Sequence, residues 1–321
     1  MYLIGIDVGG MSIKGGIIDS ESGKILVQHA IPTTTQYTKD YSISEDIAKV
    51  IDIILAEANM KIDDIVGIGI GQPGSIDSER GVVRYSNNIA IENVPVVDEL
   101  KVKYNLPIYI SNDANCAALG EYVFGAGRGY KDIVFITLGT GVGSGIIIDG
   151  KLFEGRSGAG AEAGHMIINV DGEKCNCGSR GCWETYASAT ALIRQTKAAL
   201  DDPANKDSYM HEVAKEEGKV SGKTAFIAAK KGDKAGQAVV DQYIKYIAVG
   251  LVNMANIFRP DAILIGGGIS KEKEYLTKPL QAQLDACTYG GKYNPRVIVK
   301  TASLQNDAGI LGAAALVIKN N

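Results

Sequence analysis

A chain of 321 residues can bury a sizeable core and most naturally divides into two domains. Hydrophobic residues at 45%, charged residues at 22% and only 8 prolines exclude a disordered or low-complexity protein. A formal net charge of -4 removes any general attraction to nucleic acid or anionic lipid, and no apolar run is long enough to span a bilayer.

The N-terminus, Met1-Tyr2-Leu3-Ile4-Gly5-Ile6-Asp7, enters a strand at once without a basic n-region or cleavage site, so the expected location is the cytoplasm. Residues 2–8 read as a buried strand that Gly9-Gly10 breaks. Ser12–Asp19 and Lys24–Ile31 follow as strands around the turn Ser20-Glu21-Ser22-Gly23. Ile43, Ile47, Val50, Ile51, Ile54 and Leu55 recur at helix spacing, and Ser42-x-x-Glu45 has capping-box spacing. Ile65–Ile70 is a strand, followed by an irregular Gly71-Gln72-Pro73-Gly74 and a turn-like Ser75-Ile76-Asp77. A short strand, Pro107–Ile110, delivers Asn112-Asp113 to its C-terminal end, and Ala114–Tyr122 suits a helix. Strand and helix alternate, which defines an α/β fold.

The chain then begins again. Ile6–Asp19 lies over Ile136–Asp149 without a gap, and Ile6, Gly9, Gly15, Ile17, Ile18 and Asp19 meet identical residues. Either two glycine-rich hairpins look alike, or a domain is duplicated so that two strand–turn–strand units face a shared cleft. Further on, the polar Asp201–Gly222 reads as an exposed excursion and Val239–Phe258 as a long helix. Ala262–Ile265 is a strand ending in Gly266-Gly267-Gly268, Arg296–Lys300 is another, and the small-residue helix Ala308–Ile318 closes the chain.

Asp113, after a strand and at a helix start, reads either as an N-cap or as a general base that accepts the proton of a substrate hydroxyl. The glycine loops on both sides favour the base. Backbone N–H groups in Gly139-Thr140-Gly141-Val142-Gly143 can cradle phosphate, and Thr140 adds a hydroxyl. Asp7-Val8-Gly9-Gly10 is a second such place, where Asp7 could hold Mg²⁺–phosphate through water. Three of the 5 cysteines cluster as Cys175-x-Cys177-x4-Cys182 after His165, one imidazole and three thiolates that suit a closed structural zinc site. Cys116 and Cys287 read as core or inert thiols. Glu162 and Glu184 flank the cluster, where a bound metal would preorganise them to recognise sugar hydroxyls.

Together these residues resemble the ROK family of bacterial sugar kinases and repressors, within the actin-like/hexokinase (ribonuclease H-like) ATPase fold. The resemblance covers essentially the whole chain. Its most specific part is Glu162-x-Gly-His165 followed by Cys175-x-Cys177-Gly-x-x-Gly-Cys182-x-Glu184. It implies a two-lobed α/β protein with duplicated βββαβα-type domains and a central cleft. Residues 1–117 with 305–321 would form a small domain, and 118–304 a large one carrying zinc. It further implies that Asp113 is the base, and that Asn88, Asn112, Glu162, His165 and Glu184 contact the sugar. Asp7, Gly9, Gly10, Ser12, Gly139, Thr140, Gly141 and Gly267 would face Mg-ATP, and His165, Cys175, Cys177 and Cys182 would ligate Zn²⁺. One departure stands out: the family has threonine after the first Gly-Gly, where this chain has Met11, and Ser12 is the adjacent hydroxyl. The expected activity is ATP-dependent phosphorylation of a hexose 6-hydroxyl, glucose first, by a homodimer. N-acetylmannosamine, another hexose or a β-glucoside are the alternative substrates. The rival class is a sugar-responsive repressor, which carries a winged helix before the first strand; here that strand starts at residue 2.

Overall fold

The computed structural model describes every residue except Thr35, Lys39, Asp40, Asn87, Asn88 and Asn321, so the expected sugar contact Asn88 lies outside the described residues. The chain forms two compact units. One comprises Met1–Phe135, Gly145–Ala161 and Ala302–Asn321, the other Ile136–Ser144 and Glu162–Thr301.

The first unit is built on β1 (Tyr2–Val8), β2 (Ser12–Asp19), β3 (Ile25–Pro32), β4 (Ile65–Gln72) and β8 (Ile108–Asn112), with α1 (Ile43–Ala58) between β3 and β4. The sheet order is β3-β2-β1-β4-β8: β1 to β3 form an antiparallel meander, and β4 and β8 join parallel to β1. Alternation sends Ile4, Ile6, Ile13, Ile17, Ile68, Ile70, Ile108 and Ile110 to one face, where they meet Ile43, Ile47, Val50, Ile51 and Ile54 of α1. Each such side chain, fully buried, contributes about 1.5–3 kcal/mol. Ser42 caps α1, but its hydroxyl accepts from Ser44 N and donates to Glu99, so the Ser42–Glu45 spacing marks the helix start without forming the reciprocal box. The opposite face of the sheet packs Leu3 and Ile18 against Ile310, Leu311, Ala314 and Val317 of the C-terminal helix α10 (Ala308–Asn320).

Between β4 and β8 the chain makes β5 (Ser75–Asp77), β6 (Val82–Ser86) and β7 (Ile91–Val94), an antiparallel sheet of order β5-β6-β7, and then α2 (Val96–Lys101). The expected turn at Ser75–Asp77 is therefore a strand. Ile76 is buried in the core and the Arg84 guanidinium holds Asp77 at 2.5 Å, contacts that local composition does not reveal. Helix α3 (Asp113–Val123) follows β8 without a break.

The second five-stranded sheet contains β9 (Ile133–Leu138), β10 (Val142–Ile148), β11 (Lys151–Leu152), β12 (Ala262–Gly266) and β13 (Ile298–Thr301) in the order β11-β10-β9-β12-β13. This is the order β3-β2-β1-β4-β8 over again. The gapless overlay of Ile6 on Ile136 lays β1 on β9 and β2 on β10, so duplication is the correct one of the two readings.

The other unit adds α4 (Glu184–Ala187), α5 (Ala189–Asp201), α6 (Met210–Glu216), α7 (Thr224–Lys230), α8 (Lys234–Phe258) and α9 (Glu274–Cys287). The polar stretch 201–222 is not wholly an excursion: α6 inserts Met210 and Val213 into the core. Trp183, fully buried, packs on α8 and its indole N–H donates to Tyr246 O at 2.8 Å, which anchors the cysteine-rich loop. Cys116 is a core thiol as expected, whereas Cys287 is exposed at the end of α9. Among the described residues no helix is long and apolar enough to cross a membrane.

Candidate active site

In the first unit the key question is what Asp113 does at the start of α3. The N-cap is Asn112: its side-chain oxygen accepts from Ala114 N at 2.9 Å while its amide donates to Gly74 O at 3.1 Å. Asp113 shares Ala114 N at 2.9 Å through one oxygen, so the helix does not depend on it for a cap. Water reaches the Asp113 side chain, yet protein surrounds most of it, and this desolvation holds its carboxyl above the ordinary carboxylate range against the Ala114 N–H. Burial likewise raises the Asp7 carboxyl; Lys14 opposes the shift and the charge of Asp113 adds to it. Asp7 also abuts Gly309 at the start of α10, where a Cβ would stand 2.5 Å from its carboxyl carbon. Two neighbouring carboxylates held this way are an oxygen-donor set that fits a hydrated divalent cation.

The turn after β1 is oriented by Thr33, just beyond β3. Its hydroxyl donates to Gly9 O at 2.6 Å and its N–H to Met11 O at 3.1 Å. A trans peptide points its N–H opposite to its C=O, so the N–H groups of Gly10 and Ser12 are aimed away from Thr33. Met11 itself is 90% exposed.

The second unit repeats the device. In the turn Gly139-Thr140-Gly141, Ala189 N donates to Gly139 O and the Thr190 hydroxyl to Thr140 O, both at 2.8 Å from the first turn of α5. The N–H groups of Thr140 and Gly141 are thereby aimed away from α5. Gly267, at φ 78°, passes so close to β9 that a Cβ would stand 2.4 Å from Leu138 O.

His165, Cys175, Cys177 and Cys182 converge: their ligand atoms all lie within 4.8 Å of one another. Cys177 Sγ is 3.6 Å from Cys182 Sγ, and Cys175 Sγ is 3.7 Å from His165 Nδ1. Zinc bonds of about 2.3 Å to sulfur and 2.0–2.1 Å to nitrogen make tetrahedral edges of about 3.5–3.8 Å, so the donor set fits Zn²⁺. Burial pushes the Cys175 and Cys182 thiols up, and a cation is what would hold three thiolates this close. With Nδ1 facing the sulfurs, Nε2 of His165 lies on the opposite edge of the ring, so one side chain can serve a metal and a second ligand. Glu184 joins the cluster to the glycine turn: one oxygen lies 3.0 Å from Cys175 Sγ and 3.8 Å from His165 Nδ1, the other accepts from Val142 N at 3.4 Å. Glu162 is exposed at the N-terminal end of the short turn that carries His165, and Ala163 N of that turn donates to Ser144 Oγ of β10 at 3.0 Å.

The expected residues therefore form two groups, one in each unit: Asp7, Gly9, Gly10, Ser12, Asn112 and Asp113, and Gly139, Thr140, Gly141, Glu162, His165, Glu184, Gly267 and the cysteines. Two residues of the first unit escaped sequence reasoning. Glu154 accepts from Ser111 Oγ at 2.5 Å and Ser78 Oγ at 3.1 Å, and so pins the end of β8 just before Asn112. Gln72 is fully buried at the register position beside Asn112, and among the described residues neither of its amide atoms has a hydrogen-bond partner. The partners of Glu154 are distant in sequence and Gln72 looked like loop, so neither carried a local signal.

A protein whose two sheets repeat one topology, each ending in a strapped glycine turn, with a Cys₃His cluster between strand and helix, has the architecture of an actin-like sugar-kinase ATPase. The chain belongs to the ROK family, whose model matches residues 3–320. It is 38% identical to a glucokinase of Thermotoga maritima over 99% of this chain and 97% of that one, and 36% identical to a glucokinase of Streptomyces coelicolor over 98% and 96%. Among solved structures it is similar to a ROK family glucokinase from Streptomyces griseus in complex with glucose and AMPPNP. The TM-score is 0.80 at 35% identity, over 99% of this chain and all of that one.

Proposed function

We propose that the protein is an ATP-dependent glucokinase that transfers the γ-phosphoryl group to the 6-hydroxyl of glucose. The observation that carries this reading is Asp113, a partly desolvated carboxylate relieved of capping by Asn112. Glucose as the sugar is supported by the full-length similarity to glucokinases.

In this mechanism Asp113 accepts the 6-hydroxyl proton as that oxygen attacks phosphorus, and the carboxyl above its usual range makes it a stronger base than a surface aspartate. Mg²⁺, when bound with ATP, supplies positive charge to the phosphates, and Asp7 would hold it through water. The N–H groups of Gly10 and Ser12 and of Thr140 and Gly141 point away from their straps and are the donors offered to phosphate oxygens. Asn112, Glu162, Glu184 and the Nε2 edge of His165 orient the sugar hydroxyls. Zn²⁺ would be structural, since four protein ligands leave no open position. The same reading places the reaction in the cytoplasm, where ATP is found, and the protein in a homodimer, which light scattering would test.

The deciding experiment is sugar-dependent ADP release from Mg-ATP across glucose, N-acetylmannosamine, other hexoses and a β-glucoside. Asp113→Asn should keep the fold and lower kcat by about 10²–10⁴, the usual worth of a general base. Release with no sugar, or normal turnover in the variant, would end this reading.

A further inference from the structure

The segment that follows β3 is tied down by a single carboxylate. Asp46, in the first turn of α1, has a side chain only 3% exposed and accepts from the Thr34 hydroxyl at 2.6 Å, from Tyr37 OH at 2.9 Å and from Tyr41 OH. Lys49 lies 3.5 Å from the same carboxylate and donates to Tyr41 OH, while the rings of Tyr37 and Tyr41 stack. Burial alone would raise this carboxyl, but the hydroxyls of Thr34, Tyr41 and Tyr37 with Lys49 hold it below the ordinary range, so it is an anion near neutral pH. Three hydroxyls turned onto one buried anion, beside a single backbone bridge between Thr38 and Tyr41, tie the described residues of this segment to α1.

Thr34 is the neighbour of Thr33, and Thr33 holds two carbonyls of the first glycine turn, Gly9 O and Met11 O. The chain of contacts runs Asp46, Thr34, Thr33, then the two peptide planes that present Gly10 N–H and Ser12 N–H. In the second unit the corresponding strap, Ala189 and Thr190, belongs to a regular helix and needs no such anchor. The first strap is an irregular connector, and the buried carboxylate does the helix's job.

We infer that Asp46 is a positioning residue for nucleotide binding: acting through Thr34 and Thr33, it sets the orientation of the N–H groups that receive ATP phosphate. This matters more here than in a chain with threonine after Gly-Gly, because Met11 offers no hydroxyl and the backbone must do the holding. The inference rests on the ATP-binding role given to the Gly9-Gly10 turn above.

The test uses the full-length, zinc-loaded protein with a non-hydrolysable ATP analogue and with glucose, each titrated calorimetrically. Thr33→Val keeps the shape and removes only the hydroxyl donor to Gly9 O; Asp46→Asn removes the charge that gathers the hydroxyls. Both should raise the analogue Kd and the KM for Mg-ATP by about three- to tenfold, roughly the worth of one hydrogen bond, and leave the glucose Kd unchanged. Equal analogue affinity in wild type and Thr33→Val overturns the inference and leaves the kinase standing. A parallel loss of glucose and nucleotide affinity in Asp46→Asn, with a lowered Tm, makes Asp46 a general structural anchor and also overturns it. Wild-type protein that binds no analogue removes the kinase reading and this inference together.

Discussion

The two glycine turns, Gly9–Met11 and Gly139–Gly141, begin from matching sequence and end in different company. Each sits between two strands that hold the same places in their sheets, and each has its carbonyls taken by a threonine hydroxyl and a backbone N–H. The first turn follows Asp7, whose carboxyl feels the charge of Asp113, and leans on a connector gathered by Asp46. The second leans on a helix and, through Glu184, on the Cys₃His cluster. Duplication supplied one scaffold twice; the chemistry came from what each copy later packed against it.

Metal removal should separate the two most sharply. Structural zinc binding is worth about 10–16 kcal/mol in small domains, comparable to the whole stability of a protein. A chelator should therefore abolish hydrogen-exchange protection of the bonded Gly139 and Val142 N–H groups while the bonded Gly9 N–H keeps it. Equal loss at both turns would mean that the metal supports the chain as a whole and the contrast is false.

Adding one carbon at each copy's closest approach gives the next largest effect. Gly267→Ala meets the Leu138 backbone and requires φ 78° of a residue with a Cβ, so urea unfolding should show a loss of at least about 3 kcal/mol. Gly309→Ala meets the Asp7 carboxylate first, a side chain that can turn aside. It should cost less stability than Gly267→Ala and raise the Mg²⁺ concentration needed for half-maximal rate. The reverse ranking would show that the first unit is the stiffer one.

Acid titration is the probe of the first copy. Burial raises the Asp113 carboxyl, so kcat/KM should fall as pH drops through a value above the ordinary carboxylate range, and a profile flat down to that range would remove Asp113 as the base. The same shift favours the folded, protonated form: its contribution to stability is complete below the unfolded carboxylate value and is lost as pH rises through the folded one. Asp113→Asn should accordingly melt no lower than wild type at pH 7. The smallest effect is Thr190→Val, which removes one hydroxyl bond to the second turn and should raise the KM for Mg-ATP about three- to tenfold.

Much of this was legible in the chain because it depends on residues near one another in sequence. Apolar runs bounded by glycine and turn residues marked β1, β2 and β4, helix spacing marked α1, and gapless repetition of Gly9 and Gly15 at Gly139 and Gly145 announced the duplication. The Cys₃His cluster was readable because thiols at 175, 177 and 182 have little other reason to lie so close in sequence. Tertiary structure alone decided the rest. It made Ser75–Asp77 a strand by burying Ile76, gave the cap to Asn112 so that Asp113 stayed available, set Glu184 against both thiolate and glycine turn, and drew three hydroxyls onto Asp46. The physical reason is the same in each case. Local pattern determines which way a side chain leaves the backbone, whereas desolvation and hydrogen-bond partners come from residues tens of positions away, and those set what the side chain can do.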